Sequence, residues 1–343
     1  MPLEPLDRHR GVVPPAPPGA ARPLWSVMIP TFNCADLLQQ TLSSVLASGY
    51  AADEMQIEVV DDCSTADDPS RVVKALGLGR VGFFRQAENL GHARNFNSCL
   101  ARARGRLVHV LHGDDWVSPD FYGKIAALFA AKPALGAAFC RHVIANDDGS
   151  QQRISPLERQ TAGVLENWLP TIAGELRLQP PSIVVRREVY EALGGFDTRM
   201  SSCGEDWEMW VRIAARYPVG YLPESLAFYR DRSNSLTKRS VRSGQNIRDV
   251  RMATRIARSY VPAAARPALG RAQGSWAQWA LHWSQRLIDR GDYAGAAMQL
   301  QQAFLCSRSP QTLRAIVRLG SYGVRHAWRN GRATSGWARR GDA

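Results

Sequence analysis

Between Trp25 and His142 the apolar positions alternate between two rhythms. Short runs of β-branched and aliphatic residues read as buried strands: Trp25–Ile29, Ile57–Val60, Val81–Phe84, Leu107–Leu111 and Gly136–His142. Between them, apolar residues recur at helical spacing. Ala35–Ala47 sets Leu37, Leu38, Leu42, Val45 and Leu46 along one side. Further helices are expected near Ser70–Leu76, over Gly91–Ala103 and over Pro119–Ala131, the last with proline near its start. Strand–helix alternation with short links predicts an α/β fold, a parallel sheet covered on both faces.

After Arg141 the alternation weakens. Asn146-Asp147-Asp148-Gly149 is a strong turn signal suited to a hairpin. Ser182–Val185, Val219–Leu222 and Leu226–Tyr229 read as short strands, and Asp206–Arg216 as a helix with Trp207, Trp210, Val211 and Ala214 on its apolar face. Beyond Ser243 strand signals stop, and Asn246–Tyr260, Pro267–Asp289, Tyr293–Cys306 and Pro310–Trp328 read as helices. Residues 1–23 hold seven prolines and read as a flexible leader without a core of its own. The expected organisation is a leader (1–23), an α/β body (24–240) and a helical C-terminal region (241–343).

Charge sharpens that division. The net charge is +12, yet residues 241–343 hold 17 Arg, no Lys and 4 Asp, a balance of +13 that leaves the first 240 residues near neutral. The six cysteines form no Cys-x-x-Cys pair, so neither a zinc site nor a redox motif is suggested. No apolar run is long enough to cross a bilayer, and the N-terminus lacks a signal-peptide core. A cytoplasmic protein is expected. Trp276, Trp279 and Trp283 stand at i, i+3 and i+7 in the basic region, with Trp328 and Trp337 further on. Core packing is the commoner reason for such a stripe. Arginine with interfacial tryptophan also suits an anionic membrane, which gives peripheral contact with the inner face of the plasma membrane as the sharper expectation. Charge alone would permit nucleic acid, but no recognised motif supports it and none is expected.

Three acidic pairs carry the candidate chemistry. Asp61-Asp62 and Asp114-Asp115 each follow an apolar strand, and Glu205-Asp206 opens a helix. Carboxylates at the carboxyl ends of parallel strands lie where such sheets bind ligands. Clustered acids repel each other unless a cation, a sugar or a nucleotide sits among them. The plainer readings are helix capping for the first pair and dipole stabilisation for the last.

These motifs, in this order, resemble glycosyltransferase family 2, inverting enzymes with the GT-A fold. Ser26-Val27-Met28-Ile29-Pro30-Thr31-Phe32-Asn33 resembles its opening strand and loop, and Val60-Asp61-Asp62-Cys63-Ser64 its Asp-Asp-x-Ser motif. Asn89-Leu90-Gly91-His92-Ala93-Arg94-Asn95 resembles the start of its donor-side helix, Leu111-His112-Gly113-Asp114-Asp115 its metal motif, and Gly194–Asp197 with Glu205-Asp206 its acceptor-side segment. The resemblance covers roughly Leu24 to Thr237 and implies a donor half (24–118) and an acceptor half (119–240). It implies nucleotide-sugar contacts from Pro30, Thr31, Phe32, Asn33, Asp61, Asp62, Asn89, Gly91, Arg94, Asn95, Asp115, Arg230 and Arg232. Asp62 would read a base N–H, favouring uracil or thymine, while Asp61 holds its turn. Asp114, with His112, would hold Mg2+ or Mn2+. Asp206, beside Glu205, would be the base that takes the acceptor's proton. The chain departs from the family pattern in three places: Phe32 stands where Tyr is usual, His112 where Asp is more frequent, and Arg232 near a frequent His.

The expected activity is transfer of a sugar from a UDP- or dTDP-linked donor to a hydroxyl of a glycan or lipid-linked acceptor, in cell-surface polysaccharide, lipopolysaccharide or cell-wall synthesis. A nucleotidyltransferase is the nearest rival, though Pro30–Asn33 lacks the Gly- and Lys/Arg-rich loop it would need. A catalytically decayed polysaccharide- or membrane-binding adaptor is the other alternative, favoured by His112 and Arg232.

Overall fold

In the computed structural model, which describes residues 8–16, 19 and 21–337, strand β1 (Trp25–Thr31) is buried along its whole length. Its unbroken apolar run suits a strand covered on both faces. It pairs in parallel with β2 (Met55–Asp61) and β4 (Leu107–Val110), and β3 (Gly82–Arg85) pairs in parallel beyond β2. The crossovers carry α1 (Ala35–Leu46), α2 (Pro69–Gly77) and α3 (His92–Arg102). The Asp68 carboxylate accepts from the Ser70 N–H and proline occupies the first turn of α2, which fixes where that helix starts.

The second half adds β5 (Trp116–Val117), α4 (Phe121–Ala131), β6 (Ala137–Ala145), β7 (Gln151–Ile154), β8 (Gly163–Val164), α5 (Trp168–Ile172), β9 (Ile183–Arg186), α6 (Arg187–Leu193), α7 (Glu205–Ala214) and β10 (Val219–Arg230). The main sheet runs β3-β2-β1-β4-β9-β6-β10-β5. Because β9 lies antiparallel between β4 and β6, the sheet is mixed rather than wholly parallel. β6 and β7 form the hairpin expected at Asn146–Gly149, with Gly149 at φ 84. The two short strands expected at 219–222 and 226–229 are one strand, β10. Its register slips between Leu222 and Ala227, around Pro223, which cannot donate to the ladder.

The C-terminal helices are α8 (Leu236–Ser240), α9 (Gln245–Tyr260), α10 (Arg266–Asp289), α11 (Tyr293–Cys306) and α12 (Pro310–Trp337). They share the core of the body. One buried cluster runs from Met28 and Val60 through Trp207 and Trp210 to Ala253, Trp276, Ile288 and Leu319. Trp276 is buried edge-on to Trp207 at 5.9 Å, and Trp279 and Trp283 pack on the same cluster. The tryptophan stripe is therefore core, and its reading as a membrane face does not hold. The side chain of Trp337 lies outside the described residues.

The leader also departs from expectation. Residues 1–7, 17, 18 and 20 lie outside the described residues, but 9–16 are clasped to the body. Arg10 forms a β-bridge with Asp197, Gly195 N–H donates to Gly11 O at 2.6 Å, and Val13 is buried in the core. Arg187, itself buried, donates to Pro14 O at 2.7 Å. Proline removes donors but keeps carbonyl acceptors, so an extended Pro-rich strand can still be held by side-chain donors.

Candidate active site

The carboxyl ends of β1, β2 and β4 and the start of α7 open onto one cavity of about 460 Å³. At the end of β1, Pro30, Thr31 and Phe32 line it, and Thr31 Oγ1 is buried without a hydrogen-bond partner. Asn33 turns away. At φ 50, its Oδ1 accepts from the N–H groups of Thr65 and Ala66, both at 2.9 Å, and so ties the loop after β1 to the loop after β2.

The pair after β2 divides its labour. Asp61 is fully buried, is paired with Arg85 at 2.6 Å and accepts from the Ser64 hydroxyl, so it braces the turn and does not line the cavity. Asp62 does line it. Its two oxygens accept from Leu90 N–H at 2.8 Å and Gly91 N–H at 2.9 Å. Gly91 sits at φ 82, a conformation that lets the backbone come this close. Burial raises the Asp62 carboxyl above its ordinary value, and the two N–H donors partly oppose this. Asn89 and Asn95 also line the cavity, and each donates its side-chain amide to a carbonyl, Asp62 O and Val60 O. Arg94 is exposed on α3 and is not among the lining residues.

After β4, His112, Gly113 and Asp114 line the cavity while Asp115 lies behind them. A Cβ on Gly113 would meet Thr31 Cγ2 at 2.5 Å, so glycine lets these two loops close together. The Asp115 Oδ1 accepts from the Arg230 backbone N–H at 2.9 Å, whereas its Oδ2 is buried without a hydrogen-bond partner. One ligand atom from each of His112, Asp114 and Asp115 lies within 4.8 Å of the others. Burial keeps the His112 ring below its ordinary value, which leaves a lone pair free, and burial with the neighbouring Asp114 charge pushes the Asp115 carboxyl well up. A neutral imidazole, two carboxyl groups and an orphaned buried oxygen fit a divalent cation. Asp115, expected to touch the sugar nucleotide, belongs by geometry to this cluster.

The two arginines after β10 differ. Arg230 is buried and spends its guanidinium on Asp114 O at 3.1 Å, Asp147 O at 2.7 Å and Gln40 Oε1 at 2.5 Å, stacked 4.7 Å over Trp116. Arg232 instead faces the acids, with Nη1 3.3 Å from Asp114 Oδ2.

Glu205 and Asp206 open α7 after Gly204 at φ 94 and face the same cavity. Asp206 Oδ1 accepts from the Trp207 N–H at 2.6 Å. His92, absent from the expected site, places Nε2 3.2 Å from Glu205 Oε2. Burial alone would depress His92, but the Glu205 carboxylate outweighs it and raises the ring; the same pairing holds Glu205 below its ordinary value against its own burial. Burial and the Glu205 charge push the Asp206 carboxyl up to about 7. Asp249, from α9, was also not expected. Its Oδ2 accepts from the N–H groups of Ser201 and Ser202 at 3.1 and 2.7 Å and so seats the loop ahead of α7. His92 stands inside the Asn89–Asn95 motif, next to Gly91, whereas nothing local in the sequence connects Asp249 to this site.

Residues 26–194 match the family described as Glycosyl transferase family 2. That segment belongs to the family. This glycosyltransferase is 29% identical over 248 residues to the Mycobacterium tuberculosis protein named Uncharacterized protein MT1568, covering 67% of this chain and 74% of that one. It is 28% identical over 218 residues to Uncharacterized glycosyltransferase alr2836 of Nostoc, covering 60% and 64%. To O-antigen biosynthesis protein RfbC of Myxococcus xanthus it is 26% identical over 222 residues, covering 64% of this chain but 16% of that protein. Among solved structures, mannosyltransferase PcManGT from Pyrobaculum calidifontis, in complex with GDP-Man and Mn2+, superposes with a TM-score of 0.55 at 18% identity over 98% of this chain and 91% of that one. Residues 1–349 of S. aureus TarS, in complex with UDP-GlcNAc, give 0.52 at 14% over 82% and 91%. At such identities the likeness shows the GT-A fold, a mixed sheet flanked by helices with a helical C-terminal region.

Proposed function

We propose that this glycosyltransferase moves one sugar from a nucleoside-diphosphate donor to an acceptor hydroxyl, with inversion, in the assembly of a cell-surface glycan. The observation that carries the reading is that Asp206 lines the same cavity as Asp62, His112 and Asp114. Asp62 and Phe32 meet the base, and a carboxylate there favours uracil or thymine, which offer a ring N–H. His112, Asp114 and Asp115 hold the cation, for which the imidazole makes Mn2+ a better fit than Mg2+. When bound, the cation offsets the charge that grows on the leaving diphosphate. Arg232, already beside Asp114, supplies a second positive charge at the same place.

The acceptor hydroxyl attacks the anomeric carbon from the face opposite the diphosphate. As the new C–O bond forms and the bond to the leaving oxygen breaks, the hydroxyl proton passes to the Asp206 carboxylate. Glu205 is the weaker base of the two, because its pairing with His92 lowers its affinity for a proton while that of Asp206 is raised. A glycan or lipid-linked acceptor fits the O-antigen biosynthesis named for one relative. Among the described residues no helix is long and apolar enough to cross a membrane. We place the reaction on the cytoplasmic side, where nucleotide sugars are made.

The deciding experiment is transfer by an Asp206→Asn protein. Turnover should fall by about 10³-fold, with sugar-nucleotide binding retained. Full turnover in a normally folded Asp206→Asn protein removes the assignment. Excess chelator should abolish transfer and Mn2+ restore it; unchanged activity would leave the diphosphate charge to Arg232.

A further inference from the structure

At the expected membrane face Trp276 is buried and Trp279 and Trp283 are partly buried against the core, yet α12 exposes another surface with matching chemistry. Along α12, Leu313, Val317, Gly320, Val324 and Trp328 recur at i, i+4, i+7, i+11 and i+15, one stripe of a helix. These side chains face outward: Leu313 is 38% exposed, Val317 69%, Val324 72% and Trp328 59%. Exposed Arg314, Arg318, Arg325 and Arg329 each follow an apolar member by one residue, so a row of guanidinium groups runs beside the apolar stripe. Residues 310–337 contain no acid.

The opposite face packs on the body. Thr312 and Leu319 are buried, a Cβ on Gly323 would meet Ile288 at 3.4 Å, and Tyr322 donates its hydroxyl to Asp289 at 2.8 Å. Tyr293 and His326 are in hydrogen-bond contact at 3.0 Å. The helix is thus fixed to α10 and α11 by one side and presents the other.

We infer that α12 is an interfacial helix that lays this chain on a bilayer rich in anionic phospholipid, the apolar stripe entering the acyl boundary and the arginine row meeting the headgroup phosphates. From Leu313 to Trp328 the stripe runs about 22 Å, long enough to lie along a surface and too polar on its flank to span one. Arginine stems can lie on the interface while their heads reach phosphate. A second copy of the chain is a poorer occupant, since its α12 would bring a second arginine row and no acids. Nucleic acid would use the arginines but gain nothing from exposed valines. The inference goes beyond the transferase reading and does not depend on it.

The test is co-sedimentation of the full chain with vesicles of phosphatidylcholine, alone or mixed with phosphatidylglycerol. The chain should bind the mixed vesicles, ignore the neutral ones and be released by salt. Val317→Asp with Val324→Asp should weaken partition at least about tenfold, with thermal unfolding and sugar-nucleotide binding unchanged. Arg318→Gln with Arg325→Gln should weaken it by about fivefold per arginine, and this second pair keeps the test open should the first fail to fold. Three results would overturn the inference: no binding to the mixed vesicles at low salt, equal binding by both double variants, or a dimer that the aspartates dissociate without any effect on vesicles.

Discussion

The two walls of the cavity tolerate their acids by different means. On the donor wall, Asp61 is neutralised by Arg85 and Asp62 is held by two backbone N–H groups from the Asn89–Gly91 loop. These partners come from the sheet and its first crossovers, so the wall is built whether or not a ligand is present. On the acceptor wall, Glu205 and Asp206 are adjacent, and His92 is the cation set against them. One acid stays ionised and the other is pushed towards neutral pH. A settled wall positions; an electrostatically loaded wall can exchange a proton. That wall also leans on the C-terminal helices, through Asp249 and the shared core.

The largest effect should come from cutting the chain after residue 240. If the acceptor wall depends on α9 and α10, the shortened protein will be insoluble or lack a cooperative unfolding transition, since Trp207 loses Trp276 and the cluster around it. A soluble, active 1–240 fragment would make the walls equally independent. Next, Asp249→Ala strands the buried N–H of Ser202 and frees that of Ser201, and should cost about 1–3 kcal/mol in denaturant unfolding. Its kcat/KM should fall while donor binding stays, the asymmetry expected if only the acceptor wall moves.

A smaller and more diagnostic effect lies in pH. Asp206, faced by Glu205 and His92, must be ionised to accept a proton, so kcat/KM should rise with pH through about 7. Glu205→Gln removes the charge that raises Asp206, and the acid limb should move to lower pH. A limb that stays in place would mean that burial alone sets the value. The smallest effect concerns stability. A carboxyl whose folded pKa is raised contributes stability below its unfolded pKa and loses it as pH climbs through about 7. Asp206→Asn should therefore raise Tm by a few degrees at pH 8, by less at pH 5, where the unfolded acid is already ionised, and not at about pH 3, where both forms are protonated.

The donor half was the more legible in sequence because its information is local. Buried strands give continuous apolar runs, and their ends carry the acids that mark the cavity, so Asp62 and Asp114 could be named from spacing and resemblance. The acceptor half was less legible because its strands are interleaved. β9 returns antiparallel between β4 and β6, a placement that no run of residues announces. Asn33, Asp61 and Arg94 share motifs with cavity residues, but two brace loops and the third faces solvent; a motif records neighbours in the chain, not which side chain points inward. His92 and Asp249 escaped for the converse reason, since each meets its partner across long stretches of sequence. The tryptophans left two readings open, core and membrane face, because helical periodicity reports a stripe without saying what covers it.

Gly204 links these levels. Its φ of 94 admits few other residues, and a Cβ there would press on Val250 and Ala253 at 3.3 and 3.5 Å. The peptide that delivers the proposed proton acceptor is thus moulded against a helix outside the α/β body. Grafting a relative's C-terminal segment onto this body would have to reproduce that mould, or the chimaera would bind its donor and stall.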